Sequence, residues 1–147
     1  MANYFETKVT FDKMMENGTV KKTTDSYLVD ALSFTEAEAR TIEEVTPFMS
    51  GDFTVKACKR TKIAEIFNLG AERYYLAKVA FITIDEKTAA EKRAVSQILV
   101  GASDFTNAIE EFNDGMKGTM ADFELVSLAE TPIMDVFTLV KKDEDEE

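Results

Sequence analysis

A chain of 147 residues that is 45% hydrophobic and 31% charged has the composition of a folded domain, not of a disordered or membrane-spanning segment. Its formal net charge of −11 argues against tight nonspecific duplex-DNA binding, which draws on many Lys and Arg contacts. With no histidine and one cysteine, Cys58, the chain lacks an imidazole base, a His-activated nucleophile, an ordinary zinc site and an internal disulfide, so a non-enzymatic protein is expected.

Tyr4 to Phe11 alternates apolar Phe5, Val9 and Phe11 with Glu6, Lys8 and Thr10, the period of a strand with one buried face. Asn17-Gly18 predicts a tight hairpin with positive φ, after which Val20 to Leu32 returns as a second strand. Ser33-Phe34-Thr35-Glu36 reads as a capping box opening a helix whose apolar stripe is Ala37, Ala39, Ile42 and Val45 and which Pro47 stops. Phe53 to Ala57 alternates as a third strand, and a further short strand follows before the link 68–73.

Sliding the chain by 70 residues repeats this pattern. Tyr4–Phe11 falls on Tyr74–Phe81, Ser33 on Ser103, Asp52-Phe53 on Asp122-Phe123, and Thr61–Phe67 on Thr131–Phe137. The second excursion turns more loosely at Asp85-Glu86-Lys87-Thr88, and its helix carries Phe105, Ala108, Ile109, Phe112 and Met116. The expected architecture is α+β, a tandem duplication of a strand-strand-helix-strand(-strand) unit. Two antiparallel sheets with two helices packed on one side would be related by a pseudo-twofold. Repeats 4–67 and 74–137 would form a single domain 1–140, followed by a disordered acidic tail 141–147. The first repeat is nearly balanced, with nine Lys/Arg against eleven Asp/Glu, whereas the second has five against eleven.

The segments Ala31–Arg40, Lys59–Phe67, Gly115–Asp122 and Glu130–Phe137 resemble a family of unknown function, domain-of-unknown-function family 4494 of Bacteroidota, their mobile elements and phages. The resemblance covers roughly residues 3 to 137. It implies an intracellular bacterial or phage protein and brings no activity or catalytic residues with it. A cytoplasmic location in a bacterial host agrees with the single cysteine, with the absence of signal-peptide features at Met1–Glu6, and with no apolar run near the ~18 residues that cross a membrane.

Candidate functional residues form a basic and aromatic strip. Lys8 and Lys78 occupy equivalent positions near Tyr4 and Tyr74, and Lys21, Lys56, Lys59, Arg60, Lys92 and Arg93 lie close in sequence. Cations that track a backbone and rings that stack on bases are what single-stranded nucleic acid requires. Single-stranded DNA binding by an accessory protein of a phage or mobile element is therefore the leading expectation. The plain alternative is a solvated sheet face whose lysines guard its edges. The rival function is a protein-interaction or scaffold module. It would use the acidic tail or the strand Leu76, Ala80, Ile82, Ile84, apolar where the first repeat is polar, for partners or a homodimer. Asp85-Glu86 and Glu110-Glu111 diverge as neighbours, Cys58 beside Lys56 and Lys59 reads as a small strand residue, and the six glycines make no phosphate loop; no metal or cofactor is expected.

Overall fold

The computed structural model describes residues 3–138; the acidic segment 141–147 lies outside them. Among the described residues eight strands and two α-helices follow in the order β1 (Tyr4–Met14), β2 (Val20–Asp30), α1 (Phe34–Val45), β3 (Phe53–Arg60), β4 (Ile63–Phe67), β5 (Arg73–Ile84), β6 (Glu91–Ala102), α2 (Phe105–Gly115), β7 (Asp122–Glu130) and β8 (Ile133–Phe137), with a single 3-10 turn, Thr46–Phe48, after α1. The fold is α+β, with two mainly antiparallel four-stranded sheets. Two compact units result: residues 3–61 with 132–138, and residues 62–131.

In the first unit the strand order is β3-β1-β2-β8. β1 pairs antiparallel with β2 and β3, as expected, whereas β8 joins β2 in parallel at the edge. In the second, the order is β4-β6-β5-β7, with β4 parallel to β6. β4 thus joins the sheet of β5, β6 and β7, and β8 that of β1, β2 and β3. A two-residue hairpin between β3 and β4 would need glycine or asparagine at positive φ. Thr61-Lys62 and Thr131-Pro132 supply neither. Instead each threonine is fastened to the central strand, its N–H and hydroxyl both donating to one carbonyl: Thr61 to Tyr4 at 2.9 and 2.8 Å, Thr131 to Tyr74 at 2.9 and 2.8 Å.

The two sheets carry matching irregularities. The β1–β3 register shifts between Lys8 and Val9, and the β5–β7 register between Lys78 and Val79, leaving Lys56 and Val126 as the extra residues. A gapless offset of 70 holds for these strands but not between them. Tyr4 faces Asp30, whereas Tyr74 faces Gly101, an offset of 71. The extra residue sits in the second turn, where Asp85 bonds Ala90 and Ala89 takes φ +60°. The hairpin expected at Asn17-Gly18 forms, closing between Met15 and Thr19, with positive φ at Gly18 but not at Asn17. Asn17 caps it, its side-chain oxygen accepting from the Thr19 N–H and hydroxyl.

The shifted offset re-aligns the helices. Ser33 caps α1, accepting from the Glu36 N–H at 3.1 Å, while Glu36 accepts from the Leu32 N–H at 2.8 Å. The counterpart of Ser33 is Asp104, not Ser103. Asp104 accepts from the Asn107 N–H at 2.8 Å, and the Asn107 side chain accepts from the Ser103 N–H at 3.1 Å. Buried positions follow the same offset: Ala37, Thr41 and Val45 on α1 match Ala108 and Phe112 on α2 and Met116 at its C-cap. Ala39 and Ile42, expected in the buried stripe, are exposed.

Each unit has its own apolar core. Phe5, Val29, Ala31, Ala37, Val45 and Phe137 pack together in the first, and Ala77, Val79, Ile98, Val100, Phe112 and Met116 in the second. Where the second core has Phe112, the first holds a polar contact. Thr41 donates its hydroxyl proton to the Ala37 carbonyl at 2.9 Å, so it is Thr7 that donates to Thr41 across 3.0 Å, both side chains fully buried. Removing the acceptor strands a buried donor and removing the donor does not, so the two deletions differ in cost. Thr41→Val should lower stability by ~2 kcal/mol, Thr7→Val by ~1 kcal/mol, and the double variant should fall near Thr7→Val, as read from urea midpoints.

Candidate nucleic-acid interface

The face of the first sheet opposite α1 is defined by register, because directly paired residues share a face. Across β3, β1 and β2 its rows read Lys59, Glu6, Leu28; then Ala57, Lys8, Ser26; then Thr54, Thr10, Thr24. The next β1–β2 pair is Asp12 with Lys22. The threonine row carries a 3.3 Å hydrogen bond between the hydroxyls of Thr10 and Thr24. A shallow depression of about 660 Å³ opens over this end of the sheet, lined by Thr10, Asp12, Lys22, Thr24, Thr54 and Lys56 among others. Lys22 stands on β2 and Lys56 at the β3 bulge, so two ammonium groups flank a floor of hydroxyls, with Asp12 and Asp52 also in the lining.

The second sheet lacks this arrangement. Lys78 sits between Gln97 and Ser127, matching Lys8, but the next row is Glu124, Ala80 and Val95. Arg93, the counterpart of Lys22, forms an ion pair with Glu124 at 3.3 Å. Val126 replaces Lys56 at the bulge.

The sequence-derived strip is therefore dispersed. Tyr74 is 1% exposed, and its hydroxyl accepts from the Gly70 N–H at 3.0 Å, so it offers no ring face to a base. Tyr4 is only partly exposed at the base of β1. Lys21 pairs with Lys13 and Lys92 with Thr83, which puts both on the helix-side face. Arg60 stands over the Phe5 ring, 5.3 Å from its centroid, also on the helix side. Lys59 lies on the face opposite α1 but is 3.8 Å from the Glu6 carboxylate. Lys8 lies on the face of the first sheet opposite α1, with Lys56 in the lining of the depression one row on, and Lys78 holds the matching place in the second sheet; all three are exposed. Lys22 and the three threonines belong with Lys8 and Lys56. In Lys21-Lys22 one residue must face each way, and only the register to Asp12 tells which.

Burial, and then the Glu38 carboxylate, push the Cys58 thiol above its ordinary pKa, so Lys56 and Lys59 do not activate it. Burial likewise raises the Tyr27 phenol, helped by Asp25 and Asp135. Among the described residues, no three His, Cys, Asp or Glu side chains cluster closely enough to hold a metal ion. No helix among them is long and apolar enough to cross a membrane.

No curated protein and no solved structure matches the chain. A family model does, over residues 3–139, under the description domain of unknown function (DUF4494). That match spans nearly the whole chain, and the protein accordingly belongs to the DUF4494 family.

Proposed function

We propose that the protein is a non-enzymatic nucleic-acid-binding accessory protein that holds single-stranded DNA by its backbone on the face of the first sheet opposite α1, at the end bearing Thr10 and Lys22. The observation that carries this reading is the depression floored by Thr10, Thr24 and Thr54 and flanked by Lys22 and Lys56, with Lys8 one row away. Lysine ammonium groups and threonine hydroxyls are donors for phosphate oxygens, and they need no sequence readout. Ring stacking contributes little here, since Tyr74 is buried. We read the two units as diverged copies of one ancestral unit, of which only the first keeps this surface; the paired bulges and threonine clasps support the duplication.

Titration of labelled oligo-dT against the full chain tests the proposal. Three lysine contacts predict a slope of log K against log salt of about −2, or roughly a 20-fold loss of affinity between about 50 and 200 mM salt. The triple variant Lys8→Ala, Lys22→Ala, Lys56→Ala should abolish binding, while Arg93→Ala, which only breaks the pair with Glu124, should leave it unchanged. Truncation after Val140, which removes five carboxylates, should tighten it. Absence of binding by either form at low salt would sink the proposal. It would favour a protein-interaction module acting through Ile84 and Val95, which are 67% and 63% exposed on the second sheet.

A further inference from the structure

The outermost strands β3 and β7 hold the same place in their sheets, each beside the central strand, yet their charges are opposite. β3 contains Lys56, Lys59 and Arg60 and no acid; β7 contains Asp122, Glu124 and Glu130 and no base. All six charged side chains are exposed. Edge strands carry charge to discourage pairing with another chain, and a single sign on every edge would do so. Here two β3 edges repel, two β7 edges repel, and a β3 edge attracts a β7 edge.

The geometry points to head-to-tail association of this protein with a second copy of itself, the β3 edge of one molecule adding to the β7 edge of the next. Antiparallel addition is the arrangement that fits the charges. It brings the C-terminal end of β3, with Lys59 and Arg60, against the N-terminal end of β7, with Asp122 and Glu124. The bulges at Lys56 and Val126 lie outside the runs that would meet, Ala57–Arg60 and Asp122–Leu125. The ion pairs that Lys59 and Glu124 now make, to Glu6 at 3.8 Å and to Arg93 at 3.3 Å, are solvent-exposed and exchange readily for intermolecular ones. Because the two patches differ, a single β3–β7 contact is heterologous and leaves one β7 edge and one β3 edge of the pair unused for further association. The inference is independent of the nucleic-acid reading.

Sedimentation velocity on the full chain provides the test, at rising concentration in about 20 mM and about 500 mM salt, where screening differs strongly. The weight-average sedimentation coefficient should rise with concentration at low salt and return to the monomer value at high salt. The variant Lys59→Glu/Arg60→Glu, with two acidic edges, and the variant Asp122→Lys/Glu124→Lys, with two basic ones, should each remain monomeric while keeping the wild-type circular dichroism spectrum. An equimolar mixture of the two should assemble again. A monomeric wild type at every concentration in low salt would overturn the inference, as would assembly that both variants retain or a mixture that stays monomeric.

Discussion

A chain ending at Thr131 should fail to fold its first sheet, although residues 3–61 are all present. The truncation removes β8, which is the outer partner of β2 and pairs with it from Ser26 to Val29. Phe137 leaves the core it shares with Phe5, Val29 and Val45, together with its stacking on the Tyr27 ring at 5.2 Å. The Arg40 guanidinium, itself buried, loses the Thr138 carbonyl it donates to at 3.1 Å. Truncating one buried phenylalanine to alanine costs about 3–5 kcal/mol, and a domain this size has about 5–15 kcal/mol in total. Loss of the ring, the ladder and the arginine contact together exceeds what the first unit can absorb. Hydrogen exchange should show β1, β2 and β3 unprotected, with urea unfolding no longer a single cooperative transition. A milder Phe137→Ala variant should keep the fold with a lowered urea midpoint. A peptide of residues 132–147 added in trans should restore protection to the truncated chain. Unchanged protection in the truncated chain would show that β8 is dispensable.

This dependence was the part of the fold hardest to read from sequence. Period-two alternation places the starts of β1 and β5 within a residue, though both strands run three residues past Phe11 and Phe81, because each buries a face under a helix and the pattern is local. Which sheet a five-residue apolar strand joins is decided by partners distant in sequence, and Ile63–Phe67 looks the same in either. The α1 face was misread for another reason: Thr41 is polar by type but buried because Thr7 satisfies its hydroxyl, while Ile42 points outward. The one-residue slip in the second hairpin hid behind the coincidence of Ser33 and Ser103, although capping falls to Asp104. For the candidate site, residue chemistry was legible and residue direction was not. Lysines at 8 and 56 were visible in the sequence, but the row of threonines between Lys22 and Lys56 exists only once β3, β1 and β2 are in register.

Gly101→Ala should be among the most damaging single substitutions in the chain, since the position admits no Cβ. One built there lies 2.1 Å from the Asn68 carbonyl oxygen and 2.9 Å from the Ala71 Cβ. The obstacle is backbone, held from two directions. The Asn68 amide donates to the Gly101 carbonyl at 2.8 Å with Asn68 at φ +60°, and the Gly70 N–H is bound to the buried Tyr74 hydroxyl at 3.0 Å. Relief requires the 68–71 segment to lift away, breaking those bonds and pulling on β4, whose pairing with β6 runs up to Val100. Overpacking costs about 1–3 kcal/mol, and each lost hydrogen bond adds about 1 kcal/mol, so a total near 4 kcal/mol is expected. Two other glycines calibrate the claim. At Gly115 an added Cβ meets the Phe67 ring at 2.4 Å, and a ring can turn, so Gly115→Ala should cost less. Gly51 has nothing within 4 Å and no positive φ, so Gly51→Ala should be neutral or stabilising by up to ~1 kcal/mol. At about 2–4 °C per kcal/mol the three variants separate cleanly in thermal melts. A Gly101→Ala melting temperature at or above that of Gly115→Ala would mean that the 68–71 turn does not close over β6, and β4 would then have no fixed place beside it.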